Sequence, residues 1–177
     1  GCLTLADMPS SQPPQPRPTT APPAQEPHVG RDLAERCAEE MFRADRATRE
    51  LGMVIEDVGP GRSRLRMVVS GSMINGHGIC HGGYLFTLAD SAFAFACNTY
   101  GEKVLAFGAD IVFLSPAHLD DELVAVAEER VLDGRNGIYD VTVTQRPTGR
   151  VVAEFRGRSR IAGPVAPHRR PIPSASE

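Results

Sequence analysis

Polar and apolar residues change rhythm several times along this chain, and each rhythm predicts an element. From Arg31 to Glu50, apolar Leu33, Cys37, Met41 and Phe42, with Ala34 and Ala38, recur at helical spacing among charges, which predicts an amphipathic surface helix. Met53–Val58 and Ser63–Ser70 alternate on either side of Gly59-Pro60-Gly61, a hairpin signal. After a loop containing Gly76 and Gly78, the chain from about Gly82 to Tyr100 is apolar on nearly every side, which predicts a buried helix. Strand-like runs follow at Val104–Leu114, Glu122–Leu132, Gly137–Gln145 and Arg150–Ile161, with turn residues between them. Hairpin-length turns and no intervening helix predict an antiparallel sheet, so the fold class is α+β, with a curved sheet wrapped around one long central helix.

Twelve of the fifteen prolines lie at the two ends, eight of them before residue 28. Segments so rich in Pro, Ser, Thr and Gln cannot bury enough surface to offset chain entropy, so 1–30 and 164–177 are expected to be disordered tails. The expected domain is 31–163, and 177 residues suit one domain with a full core.

Charge and cysteine usage narrow the picture further. A formal net charge of −3 gives no general pull toward nucleic acid. Lys103 is the only lysine among 19 basic residues, so the cations are arginines, suited to planar contacts with phosphate or carboxylate; biased codon usage explains the same count. Cys2, Cys37, Cys80 and Cys97 form no Cys-x-x-Cys pair, which points to a reducing compartment. No basic-then-apolar leader is visible, so a cytoplasmic protein is expected, with Gly1 read as a processing remnant and Met8 as a candidate natural start. The apolar run at 82–101 carries Asp90 and Asn98 and falls short of the ~20 residues that span a bilayer, so no membrane partner is expected.

Asp90 is the only charge in that run. Burying an unpaired carboxylate costs several kcal/mol, on the order of magnitude for desolvated ions, so Asp90 is either a structural ion-pair partner or a working acid, base or nucleophile. The loop Asn75-Gly76-His77-Gly78-Ile79-Cys80-His81-Gly82-Gly83 runs directly into the helix. Free N–H groups at a helix start make Gly82 and Gly83 candidate oxyanion donors; a tight loop needing positive φ is the plainer reading. His77 and His81 have helical metal-ligand spacing, but the surrounding glycines disfavour helix and no third ligand follows, so no metal is expected. Cys80 and His81 are neighbours whose side chains diverge, a poor nucleophile–base pair. His81 is read as a positioning residue or as a structural histidine.

Eight residues of helix rise about 12 Å. Gly82 and Asp90 therefore cannot reach one carbonyl from a single helix, but two antiparallel helices across a twofold axis would bring them together. A site shared between subunits follows as the expectation. On the last strand Arg156, Arg158 and Arg160 share one face, which a solvated sheet face explains and a phosphate clamp would use; Arg130 and Arg135 are weaker candidates of the same kind.

Asn75 to Gly101, with Phe-Leu-Ser-Pro at 113–116 and Phe-Arg-Gly-Arg-Ser at 155–159, closely resembles the PaaI-type acyl-CoA thioesterases, a hot-dog-fold family associated with phenylacetate degradation. The resemblance covers about 31–163. It implies a hot-dog fold paired into dimers and commonly tetramers, and hydrolysis of an acyl-CoA thioester to free acid and coenzyme A without a cofactor. It also implies Asp90 as catalytic carboxylate, Gly82 as backbone donor to the thioester carbonyl, and Asn75 and His81 as supporting residues. Several relatives carry a hydroxyl residue early in the strand after the helix, where Leu105-Ala106-Phe107-Gly108-Ala109 has none, so any help from it in orienting water is missing here. Phe86 and Phe93, four residues before and three after Asp90 on its face of the helix, would line an aromatic acyl pocket next to Gly83, or are plain core. Two rivals remain at this level: a non-catalytic acyl-CoA-binding module and a hot-dog hydratase.

Overall fold

The computed structural model describes residues 28–163, and the expected tails otherwise lie outside that range. Helix α1 (His28–Ala44) starts three residues earlier than the periodicity indicates, and a short α2 (Arg46–Glu50) follows. One helix becomes two because Asp45 leaves helical geometry and caps α2. Its Oδ1 accepts from Thr48 N at 3.0 Å and its Oδ2 from the Thr48 hydroxyl at 2.6 Å. The buried Thr48 hydroxyl also meets Ser91 Oγ at 3.1 Å, which ties α2 to the central helix.

The hairpin forms as the alternation predicts, with β1 (Val54–Gly59) and β2 (Arg62–Val68). A single 3-10 turn at Gly71–Met73 and the glycine loop lead into α3 (Gly82–Cys97), followed by β3 (Lys103–Phe113), β4 (Glu122–Asp133), β5 (Asn136–Arg146) and β6 (Arg150–Gly163). All six strands pair antiparallel in the order β1-β2-β4-β5-β6-β3. Register shifts in four of the five pairings bend the sheet, as bulges do, so that it wraps α3. Strands β1 and β3 are left as the two edges.

Alternation decides which side chains enter. On β5 the inward Tyr139, Val141 and Val143 are buried, and on β6 Ala153, Phe155, Gly157 and Ser159 face the same way. Leu85, Leu88, Ala89, Ala92, Phe93, Phe95 and Ala96 of α3 complete this core. The helix ends at Cys97, three residues before the apolar run does. Asn98 turns its side chain onto Ala94 O and Val104 O and accepts from Val104 N at 2.9 Å, fixing the helix end to β3.

The helix is not enclosed all round, contrary to the expectation from its composition. Phe86, Thr87, Asp90 and Ala94, at spacings of three and four, are only half-buried. The edge strand β3 also exposes Leu105, Phe107, Val112 and Phe113, each at least half accessible, with Val112 on the outer side of the sheet beside Asp110, Arg156 and Arg158. One chain thus leaves part of α3 and an apolar sheet edge uncovered.

Gly157 shows how tightly the enclosed side packs. A Cβ there would lie 2.7–2.8 Å from three ring atoms of Phe93, whose ring also contacts Tyr139 and Phe155. Gly157→Ala should cost about 1–3 kcal/mol of stability by overpacking, and Gly157→Ala/Phe93→Leu should recover part of it. Urea denaturation checks this, and strict additivity of the two single changes would contradict it.

Candidate active site

The loop before α3 is built around Asn75. Its backbone pairs with Ile79, its Oδ1 accepts from His77 N at 2.9 Å, and its carbonyl accepts from Gly78 N at 3.0 Å. Cys80 N then donates to Ala117 O and His81 N to Met73 O, both at 2.8 Å. The Asn75 side-chain oxygen is thereby committed to loop shape, while its amide NH2 donates to nothing among the described residues.

His81 is the N-cap of α3: its Nδ1 accepts from Gly83 N at 3.1 Å and its carbonyl from Tyr84 N at 2.9 Å. Accepting at Nδ1 puts the neutral ring's proton on Nε2. Gly83 N–H, one of the two candidate oxyanion donors, is used up by this cap. Gly82 N–H is left free, donating to no acceptor among the described residues, at the positive end of the helix. A Cβ on Gly82 would stand 2.8 Å from Phe113 Cζ, so close approach of that ring, not positive φ, is what glycine permits here.

Gly82 opens on a cavity of about 860 Å³ lined by Asn75, His81, Gly83, Phe86 and Phe113, with Ile79, Leu85 and Leu114 adding apolar wall. Phe86 is held edge-on by Phe155, with ring centroids 5.3 Å apart. Phe93 does not reach this space. It is 1% exposed and belongs to the core, so the expectation that it lines an acyl pocket is corrected. Cys80 borders the cavity, but burial pushes its thiol up and away from thiolate.

Asp90 lies two turns along α3, about 12 Å from Gly82 by helical rise. It is half-buried, with no hydrogen-bond or ion-pair partner among the described residues. Desolvation holds its carboxyl above the ordinary range. The structural ion-pair reading therefore finds no cation within the described chain.

Arg156 and Arg158 stand on the outer face of the sheet, away from the cavity. Arg156 grips Asp140 with two bonds, at 2.7 and 2.9 Å, and Arg158 pairs with Asp110 at 2.6 Å. Arg130 shares Asp140, and Arg160 lies over the Phe107 ring. The first of these pairs holds the Asp140 carboxyl below its usual range. Paired guanidinium groups fit a solvated sheet face better than a phosphate clamp. Sequence reasoning missed Phe113 and Leu114 as cavity wall. The signal was present in Ile111-Val112-Phe113-Leu114, where four apolar residues in a row break period two and cannot all face one core.

Residues 77–152 match the family described as the thioesterase superfamily. The acyl-coenzyme A thioesterase PaaI of Escherichia coli is 40% identical over 129 residues, 72% of this chain and 91% of that protein. The solved E. coli PaaI protein, from the phenylacetic acid degradation operon, superposes with a TM-score of 0.74 at 37% identity, covering 76% of this chain and 96% of that one. A hypothetical thioesterase protein of Streptococcus pneumoniae, solved with coenzyme A, gives a TM-score of 0.61 at 27% identity over 64% of this chain and 91% of that one. The chain belongs to the thioesterase superfamily, as a hot-dog protein of the PaaI type. It is a thioester hydrolase.

The isolated Asp90 has a consequence for stability. Because burial raises its folded pKa above the unfolded value, the folded chain holds that proton more tightly, and stability falls as pH rises from the ordinary carboxylate range through the raised value. Asp90→Asn should therefore melt higher than the native protein at pH 7 and lose the advantage near pH ~3, where Asp90 is protonated in both states. Thermal melts at the two pH values check this; an advantage that grows toward acid would contradict it.

Proposed function

We propose that the chain hydrolyses aryl acyl-CoA thioesters, of phenylacetyl or hydroxyphenylacetyl type, to free acid and coenzyme A, at sites shared between two copies. The observation that carries this reading is the pairing of two unsatisfied groups on one rigid helix. Among the described residues Gly82 N–H has no acceptor and the Asp90 carboxylate no cation or donor, and the two are too far apart to act on one carbonyl from the same chain. The uncovered stripe of α3 and the exposed apolar row of β3 support a second copy packed there, its α3 antiparallel to the first. A dimer is the least assembly that completes a site.

In this mechanism the thioester carbonyl oxygen rests on Gly82 N–H, and the helix dipole steadies the oxyanion as the tetrahedral centre forms. Asp90 of the other copy takes the proton of the attacking water, the tetrahedral centre collapses as its C–S bond breaks, and coenzyme A leaves as the thiol after taking up that proton; in the alternative route Asp90 attacks the carbonyl itself and expels coenzyme A thiolate, forming a mixed anhydride that water opens to the free acid. A carboxyl with a raised pKa holds a transferred proton better than an ordinary one, which suits the first route. His81 fixes the loop through Gly83 and keeps Nε2–H free, and the Asn75 amide is free to donate toward the carbonyl or the water. Phe86 offers an aromatic edge to an aryl group within the apolar cavity. Arg156 and Arg158, already paired, take no part. Cys37, Cys80 and Cys97 are free thiols, which supports a reducing compartment such as the cytoplasm.

Thiol release from aryl and straight-chain acyl-CoAs tests the reading. Phenylacetyl-CoA should be cleaved, and Asp90→Asn should lower kcat/KM by roughly 10²–10⁴-fold with fold and assembly intact. Tight acyl-CoA binding without thiol release would make the chain a binding module, and an altered acyl chain on intact coenzyme A would make it a hydratase. The kcat/KM profile should also fall on the acid side as Asp90 is protonated. That limb should lie above the ordinary carboxylate pKa of about 4 and be missing from the residual activity of Asp90→Asn.

A further inference from the structure

Phe113 has no part in the chemistry above, yet its ring is the group that crowds Gly82. It ends the edge strand β3 and is half exposed. The position a Cβ would take on Gly82 lies 2.8 Å from its Cζ, 3.1 Å from Cε2 and 3.3 Å from Cε1, so the ring tip rests on the Cα of the proposed oxyanion donor. The backbone carrying the ring is anchored, because Leu114 N and Ser115 N donate to Val152 O at 2.9 and 3.3 Å. Gly82 and Phe86 are four apart on α3 and so share a face, and both line the same cavity as Phe113.

A carbonyl oxygen accepting from Gly82 N–H sits about 3 Å from that nitrogen. An acyl chain lying in the cavity from that point would run beside the Phe113 ring, which borders the cavity at Gly82. On that path a branch at the carbon next to the carbonyl, bulkier than the CH2 of a straight chain or an arylacetyl group, would compete with the ring for the same space. Resting on the thioesterase reading, we propose that Phe113 determines acyl specificity by excluding acyl-CoAs branched at the carbon adjacent to the carbonyl.

Butyryl-CoA and isobutyryl-CoA are isomers that differ only in that branch, so their kcat/KM ratio isolates the effect from overall hydrophobicity. Measured by thiol release, the isobutyryl-to-butyryl ratio should rise at least tenfold in Phe113→Ala, a size expected for one methyl group in an apolar site. It should rise less in Phe113→Leu, which keeps most of the bulk and serves as the second variant if the alanine protein folds poorly. A ratio within twofold of the native protein's in both variants, or a native enzyme that cleaves the two isomers equally, overturns the role of Phe113 alone. A native protein that releases thiol from no acyl-CoA overturns the thioesterase reading and this proposal together.

Discussion

The rise of an α-helix sets the terms for this protein. Gly82 and Asp90 are eight residues apart on one straight element, and no adjustment of loops or side chains removes the resulting gap of about 12 Å. The sheet reinforces that rigidity. It wraps α3 on one side, the Asn98 clamp fixes the helix end, and the His81 cap with the Asn75 loop fixes its start. A donor and a carboxylate held this far apart can meet only through a second copy. The apolar stripe that one chain leaves open on α3 and β3 lies where that copy would pack.

The proposed chemistry rests on two groups of this helix. The first N–H groups of a helix lack internal partners, and the His81 cap satisfies that of Gly83 while leaving that of Gly82 open beside the cavity. A carboxylate amid apolar residues is ordinarily paired, and Asp90 has no partner among the described residues. Local exceptions of this kind, on an otherwise well-satisfied fold, are characteristic of sites where binding and chemistry take precedence over stability. The arginines of the outer face make the contrast. Each of Arg156 and Arg158 has a carboxylate partner in the chain itself.

Much of this was legible in the residues. Strands β5 and β6 alternate inward and outward over long runs, and the boundaries of β3 to β6 fall within a residue or two of the expected ones. Asp90 stood out as the one charge in an apolar run, and its distance from Gly82 followed from helical geometry alone. The break at Asp45 was hidden because the apolar periodicity continues across it, while the decision rests on one side chain bonding its own backbone and Thr48. Phe86, four residues before Asp90, and Phe93, three after it, share its face of the helix and both meet Phe155 of β6, but Tyr139 and Gly157 enclose Phe93 as well, and only the three-dimensional path of the sheet distinguishes them. Phe113 escaped notice because its partner, Gly82, has no side chain to signal the contact.

Complementation between two inactive variants tests the shared site most directly. Asp90→Asn and Gly82→Pro would be refolded together at equal amounts, with Gly82→Ala assayed beside them to separate loss of the N–H from intrusion of a Cβ toward Phe113. Proline is compatible with the first position of a helix, so this change removes the donor while leaving α3 able to form. If each site draws Gly82 from one copy and Asp90 from another, half the dimers in a random mixture are mixed and each restores one site. Thiol release should then return to about a quarter of the native rate. A mixture that forms mixed dimers yet stays as inactive as its parents would contradict the account.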